Sequence, residues 1–70
     1  MIGSGEIAAL AELYDRYANA LERTAPDRLQ ARRQFQARLE VLYELEGRAV
    51  PYEAFRFEMV KRCKEYLRKN

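Results

Sequence analysis

Apolar residues recur at steps of three and four along three stretches of this chain, and each stretch ends at residues that stop or restart a helix. This spacing constrains the fold most, because a helix of about 3.6 residues per turn gathers such positions on one face whereas a half-buried strand needs strict alternation. In the first stretch Ile7, Leu10, Ala11, Tyr14, Tyr17, Ala18 and Leu21 form the stripe, with Glu12, Arg16, Asn19 and Arg23 opposite it. Thr24-Ala25-Pro26-Asp27 then reads as a new helix start. Thr24 suits the N-cap, Pro26 the first turn where its missing N–H costs little, and Asp27 the vicinity of unpaired amides. The second stretch carries Ala31, Phe35, Leu39, Leu42 and Leu45 inward and stops at Gly47, the expected left-handed residue just past a helix end. After Arg48-Ala49-Val50, Pro51 opens a third helix in which Tyr52, Phe55, Met59, Cys63 and Tyr66 repeat inward, flanked by Val60 and Leu67. Val50 is a poor N-cap, so this start carries the weakest signal.

No segment alternates, no Asn-Gly or Asp-Gly hairpin signal occurs, and no repeat is present. The expected fold class is therefore all-α, a small up-down-up three-helix bundle with short connections. Its helices span 5–23, 25–46 and 51–69 after a flexible start over 1–4, in a single helical domain over 1–70. Seventy residues leave no room for a second domain. A chain this short buries only about 60% of its unfolded surface, so the alternative is an open arrangement that completes its core by dimerising. Leu13 and Ala20 in the first helix, and Leu29 and Tyr43 in the second, sit on shoulders of the stripes. They widen apolar faces that each meet two neighbours, or offer a surface for self-association.

Composition removes most chemistries. There is no histidine, the side chain that most often serves as neutral-pH base or metal ligand. Ser4 lies in a Gly3-Ser4-Gly5 start and Thr24 at a cap, and neither has a base nearby in the pattern. Gly3 and Gly5 lack the spacing and preceding strand of a phosphate loop. Cys63 is the only cysteine, which excludes an intramolecular disulfide and a cysteine zinc site and suits a reducing compartment. Lys64 beside it would favour a thiolate, but its helical position faces inward, as core filler does. Glu40 and Glu44 share a helix face without the further oxygen ligands a divalent cation needs. We therefore expect no enzyme activity, no cofactor and no metal. The longest apolar run, Ile7-Ala8-Ala9-Leu10-Ala11, is far below the roughly 20 residues of a membrane span. Nor does a basic n-region with an apolar stretch follow Met1, so the expectation is a cytoplasmic protein with no transmembrane segment.

Charge is nearly balanced overall, at +2, but unevenly spread. Seven of the thirteen basic residues and only three of the eleven acidic ones fall in 48–70, which makes the third helix the basic element. In the second helix Arg28, Arg32, Arg33 and Arg38 come early and Glu40, Glu44 and Glu46 late, an order that opposes the helix dipole. Antiparallel packing would bring the start of the second helix near the end of the third. Arg28, Arg32, Arg33 and Lys69 would then form a basic pole able to contact phosphates.

The sharpest local feature is Phe57, Lys61, Lys64 and Arg68, spaced by four, three and four on the face opposite Tyr52, Met59 and Tyr66. An aromatic ringed by cations suits an acidic protein segment, a nucleic acid or an anionic membrane surface. The plainer reading rotates the helix so that Phe57 packs at a core edge and the lysines form an ordinary solvated face favoured by the dipole. A helix-turn-helix reading of the last two helices fits poorly, because the start of the third offers Tyr52 and Glu53 along with Arg56 where bases would be read. The expected function is a non-catalytic module for protein interaction or homodimerisation through the outer face of the third helix. Nucleic-acid binding through its basic residues is the alternative.

Overall fold

A computed structural model describes residues 2–20 and 24–69, and among these the elements are three α-helices and one π-helical turn, with no strand. Helix α1, Ser4–Ala18, starts earlier than the spacing indicates. Gly3 takes an extended conformation at its N-cap, and its carbonyl accepts the Ile7 N–H at 3.1 Å. Ile2 and Ile7 pack against the core, so the start is anchored by side chains as well as by the backbone. At the other end the Asn19 amide closes the helix by donating to the Asp15 carbonyl at 2.8 Å and to its carboxylate at 2.9 Å. Leu21 and Arg23, expected on opposite faces of this helix, lie outside the described residues. Ala20 is buried.

Helix α2, Ala25–Leu42, begins where the sequence indicates: Thr24 is its N-cap, Pro26 sits in its first turn and Asp27 supplies the acidic residue there. The Thr24 hydroxyl makes no capping bond, so the cap is its backbone, whose carbonyl accepts the Arg28 N–H at 3.0 Å. Ala31, Phe35, Leu39 and Leu42 are buried along it, as their spacing requires.

The end of the second helix departs from the sequence reading. Tyr43–Gly47 forms a π-helical turn, which carries more residues per turn than an α-helix. The inward position after Leu42 therefore falls on Gly47, five residues on, and Leu45 is turned out with 73% of its surface exposed. Gly47 is not the left-handed cap the sequence suggested, because no glycine among the described residues has a positive φ. Its role is steric. A β-carbon at Gly47 would lie 2.5 Å from Phe55 Cδ1 and 2.9 Å from Tyr43 Cδ1, so the absent side chain is the space the Phe55 ring fills. Tyr43 completes the junction. Its ring lies edge-on to Tyr52 at 5.2 Å and tilted against Phe55 at 5.3 Å, and its hydroxyl donates to the Val50 carbonyl at 2.8 Å.

Helix α3, Tyr52–Lys69, follows directly, with the Pro51 carbonyl accepting the Phe55 N–H at 3.1 Å. Phe55, Met59 and Cys63 are buried and join Leu10, Ala11, Phe35, Leu39 and Leu42 in one core. Tyr52, Val60, Tyr66 and Leu67 pack on its margin, as do Leu13 and Tyr43. The three helices form a bundle in which α1 packs against both others, while α2 meets α3 chiefly through the π-helical turn. The last turns of α3, with Arg62, Tyr66 and Lys69, lie beside Ile2, Ser4 and Ile7, so α1 and α3 run in opposite directions, whereas an up-down-up order would set them parallel. A second aromatic cluster joins α1 to α2: Phe35 stacks on Tyr17 at 5.6 Å and lies 5.5 Å from Tyr14. No helix among the described residues is long and apolar enough to cross a membrane.

The π-helical turn makes a pair of stability predictions. Leu42→Ala should cost about 2–5 kcal/mol in urea unfolding, the range for truncating a buried leucine. Leu45→Ala, one turn later in an ordinary helix, should change stability by less than about 0.5 kcal/mol. Gly47→Ala should destabilise by about 1–3 kcal/mol through overpacking against Phe55, although alanine favours a helix elsewhere. Equal costs at Leu42 and Leu45 would contradict the turn.

Candidate functional site: the outer face of the third helix

The geometry of α3 follows from its inward residues. Because Phe55 is drawn against Gly47, the residue two places on points away from the core by the helical step. Phe57 is consequently 75% exposed, the most exposed of the large apolar side chains described. Lys61, Lys64 and Arg68 are exposed along the same helix. The alternative in which Phe57 closes a core edge is thus not the arrangement found.

Phe57 borders an open groove of about 500 Å³ lined by Tyr52, Glu53, Arg56, Val60 and Lys64. Glu53 and Val60 are its helical neighbours at four residues before and three after, so this part of the wall is readable from spacing. Tyr52 and Arg56 are not, because their place depends on the junction with α2. The Tyr52 hydroxyl is buried without a hydrogen-bond partner among the described residues. Burial pushes its pKa up, the Glu40 carboxylate adds to the rise and Arg56 partly offsets it, so the groove is backed by a neutral phenol. Arg62, also on α3, is tied to Glu58 at 3.5 Å, an exposed pair worth little by itself.

The expected basic pole is not assembled. Arg28 and Arg32 border a cleft with Tyr17 and Ala20 at the end of α1, whereas Lys69 lies beside Ile2 and Ser4 at its start. A helix of 15 residues separates the two places by about 22 Å at 1.5 Å per residue. Arg33 is exposed on α2. The arginine that does approach Arg32 is Arg56, which shares a second cleft with it and with Tyr17, Phe35 and Gln36. Of the residues on the shoulders of the helical stripes, Leu13 and Tyr43 pack on the core and Leu29 is exposed.

Cys63 is fully buried, and burial pushes its thiol up to about 11 from 9.0. A nucleophilic cysteine needs the opposite, an exposed and depressed thiol. Comparison with protein-family models, with curated proteins and with solved structures finds no match for this chain, so its functional reading rests on its own geometry.

The buried thiol sets a pH dependence. The folded pKa lies above the unfolded one, so the stabilisation is present below pH 9 and is lost as pH rises toward 11. Relative to Cys63→Ala, the wild-type protein should lose about 2–3 kcal/mol of stability over that interval in unfolding titrations. Parallel curves for the two proteins would contradict a buried neutral thiol.

Proposed function

We propose that this chain is a non-catalytic helical interaction module that docks an acidic protein segment, or a second copy of itself, on the outer face of α3 in a reducing compartment such as the cytoplasm. The observation that carries this reading is Phe57, a large aromatic exposed on a helix whose other outward residues, Ala54 apart, are charged. Burying such a ring gains about 1.5–3 kcal/mol, and aromatic anchors of this kind dominate protein interfaces when a charged rim surrounds them. Lys61, Lys64 and Arg68 supply that rim and favour an acidic partner by speeding encounter and rejecting basic ones. Nucleic-acid binding ranks second. Arg32 and Arg56 share a cleft and Arg56 and Lys64 a groove, which supports it, whereas Lys69 lies at the far end of α1 from Arg28 and Arg32.

The test is affinity capture and sedimentation of the wild type beside the Phe57→Ala, Lys64→Glu double variant. Both side chains are exposed, so the variant should keep its helical spectrum and lose at least tenfold in affinity for its partner or in self-association. A monomeric wild type whose double variant retains every partner would overturn the reading. A labelled oligonucleotide titrated at about 50 and 200 mM salt discriminates the second reading, since each phosphate neutralised steepens log affinity against log salt by about 0.7–0.9.

A further inference from the structure

The cleft between the end of α1 and the start of α3 has a composition of its own. It measures about 210 Å³ and is lined by Tyr17 from α1, by Arg32, Phe35 and Gln36 from α2, and by Arg56 from α3. No carboxylate lines it. Among the described residues neither Arg32 nor Arg56 forms an ion pair, although Arg48 and Arg62 each pair with a glutamate four residues away. Two guanidiniums brought to one cleft by different helices repel each other, and an anion between them turns that repulsion into two charge-assisted contacts.

We propose that this cleft binds the phosphate group of a small phosphomonoester. Guanidinium forks match phosphate oxygens in pairs, and the Gln36 amide adds a neutral donor at the same opening. The two positive charges answer the −1.5 to −2 that a phosphomonoester carries near neutral pH. The size argues for a small ligand, because the cleft lies below the roughly 300–1,000 Å³ of drug-sized sites. The floor is closely packed: Phe35 is 1% exposed and stacks on Tyr17 with ring planes 18° apart. Charged contacts made beside that apolar floor are less weakened by water than contacts on an open helix face. Arg56 borders the Phe57 groove as well, yet the phosphate site does not depend on that groove having a protein partner.

The experiment is an NMR titration of the intact chain with inorganic phosphate and with phenyl phosphate at constant ionic strength. The proposal expects saturable one-to-one binding with shifts centred on Arg32, Gln36 and Arg56. Arg32→Ala and Arg56→Ala should each raise the dissociation constant at least tenfold while preserving the helical spectrum. Arg38→Ala, an exposed arginine of the same helix that does not line the cleft, should leave it within twofold, and so should Phe57→Ala, which keeps this result separate from the docking reading. Linear, unsaturated shifts, or an equal loss in Arg38→Ala, would overturn the site as general charge screening. Displacement of phosphate by a single-stranded oligonucleotide with a salt dependence of several phosphates would overturn it in favour of a polymeric ligand.

Discussion

The approach of the Phe55 ring to the backbone of Gly47 governs the rest of this small molecule. It requires a residue without a side chain at the end of the second helix, and it requires that residue to face the third. The π-helical turn supplies the facing, and glycine supplies the space. Tyr43 then holds the connection through its hydroxyl bond to Val50 and its two ring contacts. With Phe55 set, the helical repeat places Met59 and Cys63 inward and leaves Phe57 out in solvent. The exposed aromatic follows from a packing decision made at the other side of the same helix.

Two aromatic clusters stand at different places in the bundle, with aliphatic side chains between them. Tyr43, Tyr52 and Phe55 join the second helix to the third, and Tyr14, Tyr17 and Phe35 join the first to the second. In a chain of 70 residues such rings matter, because each covers a large area with few rotatable bonds. Both candidate sites border these clusters. The groove beside Phe57 is backed by Tyr52, and the arginine cleft by Tyr17 and Phe35. Rigid aromatic walls carrying flexible charged rims are a general way to build recognition on a scaffold too small for deep cavities.

Much of the helical frame was legible because it depends on local chemistry. Thr24 and Pro26 mark a start that any helix of this sequence would use, and Phe55, Met59 and Cys63 share a face whatever lies against them. The exposure of Phe57 was open in the sequence between an outward face and a core edge, and the packing of Phe55 against Gly47 decides it. Leu45 and Gly47 were not legible, since the extra residue in the turn answers to a ring eight positions later, and no local pattern announces it. The direction of the third helix was hidden for a related reason. A short connection makes two helices successive, but here the third helix covers the first, so its basic end meets the start of α1 and not the arginines of α2. Hence Arg56, an ordinary exposed position in sequence, approaches Arg32, while Lys69 does not.

Gly47, and not Leu45, faces Phe55, and this leaves Phe57 outside the core. Side-chain NOE spectroscopy on the native protein tests it directly. The account predicts cross-peaks between the Gly47 α-protons and the Phe55 ring, none from the Leu45 methyls to that ring, and no contacts from the Phe57 ring to Leu39, Leu42 or Met59. Cross-peaks from Leu45 to Phe55, or from Phe57 to those core side chains, would contradict it.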